Sequence, residues 1–402
     1  MFERLKGGAR PEPWPGDRIF VFVLGALMAI APLTVDMYLP AMPAIGREFA
    51  ADQHAIQITL GVYLLGFGAG QLFWGPVGDR FGRRWPIVAG IAVYMLACAG
   101  AALAPDNGTL IAARLVQGLG SSAAPVLARA MVRDVYDRER SAVLLSMMML
   151  IMGAAPMLAP SLGGYVDLWF GWRAIFLSLA CFALLVLTQL FRVPETHPGD
   201  KRRSAHWRSI AAAYGELLCD RRFLAYALAS AFVFAGMFAY IGGTPFVYIE
   251  IFGVPPERYG LLFGLNVVGM MVASSINARH VGRLGVDKLL RVAFAAAAIL
   301  GVCVFAVGAS GLGGLWGLVA AIFLFLATIG FIGANSMAGA LAPFPHIAGT
   351  ASALAGALQF GVGTITSAMG GFFADGTPAP MCATIAFCGL AAFAINRWGT
   401  PK

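Results

Sequence analysis

The chain has 402 residues, of which 59% are hydrophobic and only 12% carry a charge. Soluble proteins average about 45–50% apolar and about 25% charged residues, so a soluble globule of this composition could not cover its surface with polar groups. The mean hydropathy of +0.78 agrees. The composition therefore predicts a membrane protein that crosses the bilayer many times. It excludes a soluble enzyme, a secreted disulfide scaffold and a disordered linker.

Charge-free runs mark the membrane spans, since a helix needs about 20 mostly apolar residues to cross. Eight runs occupy residues 19–35, 53–78, 85–105, 141–166, 174–191, 223–249, 259–278 and 376–396. A ninth covers 108–128 and contains one charge, Arg114. The stretch 292–374 has no Asp, Glu, Lys or Arg, and the Gly-rich 308–314 and the Pro-containing 342–345 divide it into three. The sequence thus predicts an all-α integral membrane fold with twelve transmembrane helices.

Positive charge sets the predicted orientation. With the N-terminus inside, the inner segments hold 24 Lys and Arg, whereas the outer loops hold only Arg47, Arg173 and Arg258. Because Lys and Arg accumulate in cytoplasmic loops, we expect both termini in the cytoplasm. The net charge of +8 then follows from topology and does not indicate a nucleic-acid partner. Residues 1–18 are polar and lack the pattern of a removable signal peptide, so we expect none.

The longest hydrophilic stretch divides the chain into two halves of six spans. The predicted parts are a cytoplasmic head at 1–18, an N-terminal bundle at 19–192, a cytoplasmic central loop at 193–222, a C-terminal bundle at 223–396 and a tail at 397–402. A weak repeat supports the division, because Asp79-Arg80-Phe81-Gly82 is followed 203 residues later by Gly282-Arg283-Leu284-Gly285. Six-helix repeats place a substrate site between the halves, near the bilayer midplane, and rocking of the halves gives alternating access.

The loop after span 2 reads Gly75-Pro76-Val77-Gly78-Asp79-Arg80-Phe81-Gly82-Arg83-Arg84. It resembles the signature loop of the major facilitator superfamily, G-x-x-x-D-R-x-G-R-R/K, which implies a transporter fold with a conformational gate here. The predicted gate residues are Gly75, Asp79, Arg80, Gly82, Arg83, Arg84 and Asp134. We expect Asp79 to cap a facing helix and Asp134 to pair with Arg80 or Arg84. The alternative is that the arginines only set topology.

Span 4 contains Arg114-Leu115-Val116-Gln117-Gly118, which resembles the family's R-x-x-Q-G pattern, associated with proton coupling. An arginine within hydrocarbon costs about 2.5 kcal/mol or more and stays charged, so it needs an interior polar partner. Gln117 lies one turn on, on the same helix face. The alternative is that Arg114 snorkels to the outer interface.

Span 5 ends with Ala159-Pro160-Ser161-Leu162-Gly163-Gly164. This segment resembles the end of the antiporter motif, G-P-x-x-G-G, with Ala159 in place of its first glycine. The resemblance implies export and assigns Pro160, Gly163 and Gly164 to the motif. The alternative is ordinary close packing of small residues against a neighbouring helix.

Span 1 ends with Asp36-Met37-Tyr38-Leu39-Pro40-Ala41-Met42-Pro43. This segment resembles the bicyclomycin- and chloramphenicol-resistance branch of the drug–proton antiporters, to which florfenicol exporters also belong. The resemblance implies that Asp36 is the acidic residue of the transport cavity. An intramembrane carboxyl is functional by default, and we expect Asp36 and Arg114 to share a dry crevice and to couple proton binding to transport. The alternative is an ionised Asp36 facing outside water.

The rest of the predicted cavity is apolar and aromatic, as suits amphiphilic drugs of varied shape. The candidate substrate-binding residues are Asp36, Tyr38, Tyr63, Arg114, Gln117, Phe238, Tyr240, Asn266 and Gln359. Neither the six cysteines nor the five histidines show metal-ligand spacing, and no G-x-x-x-x-G-K-[ST] loop is present. We therefore expect no metal and no cofactor, with the proton gradient as the driving force.

The sequence as a whole predicts a secondary active transporter and not an enzyme. We expect proton-coupled efflux of phenicol- or bicyclomycin-like drugs across a bacterial inner membrane, carried out by a monomer whose partners are the substrate, protons and lipid. One alternative is an exporter or symporter of a small endogenous metabolite, which would prefer a more polar cavity. An alternative of another class is a non-transporting membrane sensor or scaffold, which would normally carry an added soluble domain.

Overall fold

The computed structural model describes residues 17–136, 138–197 and 207–399, and the regular structure within them is entirely helical. Most of the predicted head, the centre of the predicted loop between the halves and the last three residues lie outside the described residues. Ten helical segments are long and apolar enough to cross a membrane. Large apolar side chains such as Phe22, Leu96 and Trp316 are more than 60% exposed, as expected of lipid-facing positions.

The N-terminal half contains eight α-helices. They are α1 (Asp17–Asp36), α2 (Met42–Glu48), α3 (Gln53–Phe81), α4 (Arg84–Ala102), α5 (Asn107–Ser121), α6 (Ala123–Val135), α7 (Arg138–Phe170) and α8 (Arg173–Leu190). A 3-10 turn at Leu39–Ala41 joins α1 to α2, and α5 and α6 together form the predicted span 4. Asp52 and Asp106 start α3 and α5 as N-caps, since each side chain accepts a hydrogen bond from a backbone N–H three residues on.

The C-terminal half begins with an amphipathic helix inside the predicted central loop. Its elements are α9 (Trp207–Cys219), α10 (Arg221–Thr244) with a π-helical extension (Pro245–Ile251), α11 (Pro256–Leu284), α12 (Val286–Ser310), α13 (Gly314–Leu341), a 3-10 turn (Pro345–Ile347), α14 (Ala348–Phe372) and α15 (Ala379–Gly399). The charge-free stretch 292–374 is thus interrupted at the two places that its Gly and Pro residues predict.

Two helices beyond the ten apolar segments also have the length of a span. These are α7, with 33 residues, and α14, with 25. Both pack against helices of the opposite half, α7 against α11 and α14 against α3. These two helix pairs form the seam between the halves. The count of twelve spans stays a prediction.

The internal repeat is visible in the backbone. The helices α3 and α11 each have 29 residues and begin 203 residues apart. They end at Gly82 and Gly285, whose φ angles of 92° and 78° are readily adopted only by glycine. The motif offset in the sequence therefore corresponds to a repeated helix and a repeated turn.

Candidate functional site

The halves are in direct contact at the end of the bundle that the charge pattern predicts to face outwards. The Gln57 side-chain amide donates a hydrogen bond to the Gly242 carbonyl oxygen at 3.0 Å. Thr364 donates to the Gly61 carbonyl oxygen at 3.1 Å. Ser161 of α7 packs directly on Gly260 of α11. The seam is therefore closed at the predicted outer end.

The antiporter-motif residues form part of this closure. A Cβ on Gly163 would overlap the carbonyl group of Met37, next to Asp36 in the chain. A Cβ on Gly164 would lie 2.6 Å from the carbonyl oxygen of Pro256 in the other half. Pro160 is buried on the same helix. The two glycines thus permit α7 to approach both α1 and α11 more closely than any other residue would allow.

One ion pair also crosses the seam at this end. Arg47 and Glu250 lie 203 residues apart, at equivalent positions of the repeat, and a guanidinium nitrogen and a carboxylate oxygen are 3.4 Å apart. Both side chains are exposed, with fractions of 65% and 43%. Exposed pairs contribute about 0.2–1 kcal/mol, so the close backbone packing of α7 on α11 holds the seam more strongly.

Asp36 is the last residue of α1 and is only 4% exposed. Within the described residues, no group forms a hydrogen bond or an ion pair with its carboxyl. The carboxyl interacts electrostatically with Tyr240 and Tyr259, both in the C-terminal half. The adjacent Met37 packs on Gly163 of α7, and Gly164 packs on α11, so the buried Asp36 lies beside the seam and not at a solvated surface. A charge buried without a partner is costly, so this position favours binding of a proton or another cationic group.

Arg114 is completely buried inside the N-terminal half. One terminal nitrogen donates to Gln117 Oε1 at 2.6 Å, as the sequence predicts, and to the Thr34 carbonyl oxygen at 3.5 Å. The guanidinium carbon lies 4.5 Å from the ring centres of both Tyr38 and Tyr63. These rings stabilise the cation by cation–π attraction. In this conformation Arg114 does not snorkel, and its Nε and second terminal nitrogen have no hydrogen-bond partner among the described residues.

Asp36 and Arg114 do not share a crevice in this conformation, contrary to the expectation. The Thr34 hydroxyl forms a hydrogen bond with Tyr94 of α4 at 2.7 Å, and the Thr34 carbonyl oxygen accepts from Arg114, so this side of α1 faces the interior of the N-terminal half, whereas Asp36 lies two residues further along. Residues two apart on a helix project from opposite sides. The two charged groups are therefore separated by the body of α1, and any communication between them passes through that helix.

The other candidate substrate residues fall into two groups. Tyr38 and Tyr63 belong to the cage around Arg114, and their hydroxyls form hydrogen bonds with Thr59 at 2.7 Å and Ser121 at 3.0 Å. Tyr240 accepts a hydrogen bond from the Asn266 amide at 2.8 Å in the other half. Both members of this second pair are 2% exposed. The sequence-predicted residues thus line two separate polar sites, one on each side of the seam.

An aromatic bridge connects the halves beside these sites. Phe67 of α3 meets Phe360 of α14 edge to face, with ring centres 4.9 Å apart. Phe360 in turn contacts Phe238 of α10, at 5.7 Å between ring centres. Gln359, next to Phe360 in the chain, is half-buried. Of these residues the sequence singled out Phe238 and Gln359 as substrate contacts, but not the α3–α14 pair that joins them to the N-terminal half.

Arg83 is the centre of the predicted gate. It binds Asp134 at 2.8 Å and Asp79 at 2.6 Å, so the expectation that Arg80 or Arg84 pairs with Asp134 is wrong. The positive φ of Gly82 turns the chain between Arg80, which is exposed, and Arg83, which is 7% exposed. Burial opposes the charge on Arg83, but hydrogen bonds to Asp134 and Asp79 outweigh it and raise the pKa of the guanidinium.

Glu195 is a member of the gate that the sequence analysis did not include. Its carboxylate accepts hydrogen bonds from the backbone N–H groups of Arg83 at 2.9 Å and Arg84 at 3.1 Å, at the start of α4. Glu195, and not Asp79 as expected, therefore caps a helix N-terminus. The neighbouring Thr196 donates to Asp134 at 3.3 Å. The sequence signal that could have identified Glu195 is an acidic residue directly after span 6, in a protein with a cluster of arginines after span 2.

Gly75 does not contribute a close contact in this conformation. A Cβ at this position would meet no atom within 4 Å. The Arg84 side chain donates to the Phe191 carbonyl oxygen at 3.1 Å. All of these gate contacts join the N-terminal half to itself or to the first residues of the central loop, so in this state the cluster does not bridge the two halves.

The chain is similar to several membrane transporters of known family. Residues 24–368 match the model of the Major Facilitator Superfamily. A bicyclomycin resistance protein homolog from Haemophilus influenzae is 34% identical over 92% of this chain and 93% of its own length. A chloramphenicol resistance protein from Pseudomonas aeruginosa is 32% identical over 86% of this chain and 83% of its own length.

A solved structure shares the fold at low sequence identity. The nucleoside transporter NupG superposes with a TM-score of 0.78 at 12% identity, covering 95% of this chain and all of that one. Three findings lead to one assignment: the match to the family model over most of the chain, the two relatives that align along most of their length, and the repeated helical halves. The chain belongs to the major facilitator superfamily, with relatives named for bicyclomycin and chloramphenicol resistance.

Proposed function

We propose that this protein exports small amphiphilic drugs, phenicol- or bicyclomycin-like, across a bacterial inner membrane in exchange for protons. It does so as a twelve-span monomer with both termini in the cytoplasm, driven by the proton gradient without a metal or cofactor. The observation that carries the proposal is the buried Asp36 carboxyl, which lies beside the seam and has no hydrogen-bond or ion-pair partner among the described residues. Such a group can exchange a proton for a cargo when the seam opens.

The closed outer seam fits one stage of the proposed cycle. With the outer end packed, Asp36 communicates with the inner side, where it releases its proton and the cargo binds. Separation of α7 from α11 would then expose Asp36 to the outer side, where a proton displaces the cargo. Arg114, on the far side of α1, acts as a fixed positive charge. Its electric field acts across the helix and favours the ionised form of the Asp36 carboxylate.

The relatives support the drug class but not the individual substrate. Two of them carry names for resistance to bicyclomycin and chloramphenicol, and both align along most of this chain. The aromatic bridge between the halves and the scarcity of charge near the seam suit uncharged or weakly charged amphiphiles. A susceptibility panel in a host lacking its own efflux pumps, with and without a protonophore, identifies the substrates among such compounds.

Asp36→Asn tests the coupling directly. The variant keeps the shape of the side chain and removes the titratable group, so drug-induced proton release from everted vesicles should fall to background. Chloramphenicol and each compound identified by the panel serve as probes.

Asp375→Asn is the matched control. Asp375 is an exposed residue of the turn between α14 and α15, where it binds the hydroxyl of Thr377. This variant should release protons like the native chain. Normal transport by Asp36→Asn under a pH gradient would exclude Asp36 as the coupling residue.

A further inference from the structure

The turn between α11 and α12, at the predicted inner end of the C-terminal half, carries an excess of positive charge. Residues 279–291 contain one acid, Asp287, and four Arg or Lys residues: Arg279, Arg283, Lys288 and Arg291. All four cations are exposed, and none forms an ion pair with any of the described residues. The Asp287 carboxylate already accepts a hydrogen bond from the Tyr226 hydroxyl. One acid therefore stands against four cations.

The equivalent turn of the N-terminal half is neutralised by the protein itself. There Arg83 binds Asp79 and Asp134, and Glu195 accepts from the start of α4. At the offset of 203 residues, the position of Asp79 is occupied by Gly282. The C-terminal turn thus keeps the cations of the repeat without its acids, and its charge is available to a partner outside the chain.

Two of these cations continue a lipid-facing stripe of α11. The stripe consists of exposed apolar side chains three or four residues apart: Leu261, Leu265, Val268, Val272 and Ile276. Leu261 is 70% exposed although the seam between the halves is closed at its level, so the stripe faces lipid and not a cavity. Arg279 and Arg283 follow at the same spacing, while Asn277, on the other side of the helix, is buried.

The length of the stripe places the two arginines at the level of the lipid headgroups. Arg279 lies 18 residues beyond Leu261, which is about 27 Å along a helix. The hydrocarbon core of a bilayer is about 30 Å thick. On α12, Lys288 likewise precedes the exposed Val292 by one turn. Cations at the end of an apolar, lipid-facing surface match the two parts of a phospholipid.

We propose that Arg279, Arg283 and Lys288 bind the headgroup of an anionic phospholipid, whose acyl chains lie along the apolar stripe of α11. Arginines one turn apart have Cβ atoms about 5–6 Å from each other, so one phosphate can contact both guanidinium groups. A zwitterionic lipid also offers a phosphate, but its ammonium group opposes the excess positive charge of the turn. The inference goes beyond drug export and does not depend on it.

The test measures lipid binding to the purified full-length chain in detergent by native mass spectrometry. Phosphatidylglycerol and phosphatidylethanolamine with the same acyl chains are the probes, and the native chain should bind phosphatidylglycerol more tightly. Each basic residue near an anionic lipid surface contributes about fivefold to binding. Arg279→Gln with Arg283→Gln should therefore raise the Kd for phosphatidylglycerol by about 30-fold and leave that for phosphatidylethanolamine nearly unchanged. Arg279→Lys with Arg283→Lys keeps the charge and should retain most of the affinity.

Arg192→Gln with Arg397→Gln is the matched control. It also removes two exposed cations from the predicted inner end, but these lie on different helices, after α8 and in α15. The control should bind phosphatidylglycerol like the native chain. An equal loss in both double variants, or equal binding of the two lipids by the native chain, would overturn the inference.

Inorganic phosphate separates a lipid site from a site for free anions. Phosphate should displace phosphatidylglycerol no better than chloride at the same ionic strength, because it lacks the acyl chains that contact the stripe. Val272→Ser with Ile276→Ser removes part of that apolar contact at exposed positions and should weaken phosphatidylglycerol binding. Specific displacement by phosphate, together with unchanged lipid binding in this variant, would show a free-anion site and overturn the proposal.

Discussion

The two ends of the helix bundle are held by different kinds of contact. At the predicted inner end, Arg83 binds Asp79 and Asp134 of its own half, and Glu195 at the start of the central loop accepts a hydrogen bond from its backbone. At the predicted outer end, α7 and α11 of opposite halves approach through glycines and a serine. The comparison indicates that charge keeps the N-terminal half rigid, whereas the fit of small residues closes the seam that must open during transport.

The largest effect is expected from a substitution that breaks the charged cluster around Arg83. Arg83→Met leaves the partly buried Asp134 without its cation, and removal of one partner from a buried pair costs about 3 kcal/mol. The free energy of unfolding of the purified chain, measured in denaturant, should fall by about that amount. Arg80→Met is the control, because Arg80 is exposed and contacts only the ring of Phe81 in the described residues. Equal losses in both variants would contradict the central place of Arg83.

A smaller effect is expected at the glycine seam. Gly164→Ala places a methyl group 2.6 Å from the Pro256 carbonyl oxygen, and overpacking of this kind costs about 1–3 kcal/mol. The cost falls only on the outer-closed state, so the ratio of outer-open to outer-closed molecules should rise by about 5-fold to 150-fold. Spin labels at the exposed Leu103 and Leu312, in a background without exposed cysteines, measure it as a longer distance.

Gly153→Ala is the control for that measurement. Gly153 lies on the same helix, and a Cβ there meets no atom within 4 Å. Its distance distribution should match that of the native chain. If Gly164→Ala also leaves the distribution unchanged, then close packing of α7 on α11 does not determine the closure.

The smallest effect is expected for the exposed ion pair. Arg47→Glu places two negative charges together and should favour the outer-open state by about 0.2–1 kcal/mol, less at high salt. The exchanged pair, Arg47→Glu with Glu250→Arg, should restore the native distance distribution. A shift larger than that of Gly164→Ala would mean that electrostatics, and not packing, governs the seam.

Several features could be predicted from local sequence because their causes are local. The interruptions of the long apolar stretch 292–374 follow from Gly and Pro, which end helices wherever they occur in this pattern. The bond between Arg114 and Gln117 follows from helix geometry, because residues three apart share a face. The repeated turns at Gly82 and Gly285 follow from a backbone conformation that favours glycine.

Which side chains pair with one another could not be predicted, because the pairing depends on how the helices are rotated and where they meet. The loop motif offers three arginines within five residues, and only the turn at Gly82 selects Arg83 for Asp134. Glu195 reaches the start of α4 from more than 100 residues away. The separation of Asp36 from Arg114 depends on how α1 packs against α4 and α5 of the same half.

The sequence by itself determined that this protein is a polytopic helical transporter of two repeated halves, with an acid and an arginine in otherwise apolar spans. Hydrophobic length, charge bias and helix-breaking residues act over a few turns and need no tertiary context. Only the tertiary structure decided that α1 separates these two charges, that Arg83 and not its neighbours binds Asp134, and that glycines close the outer seam. Each of these depends on contacts between segments distant in the chain, which a local pattern does not encode.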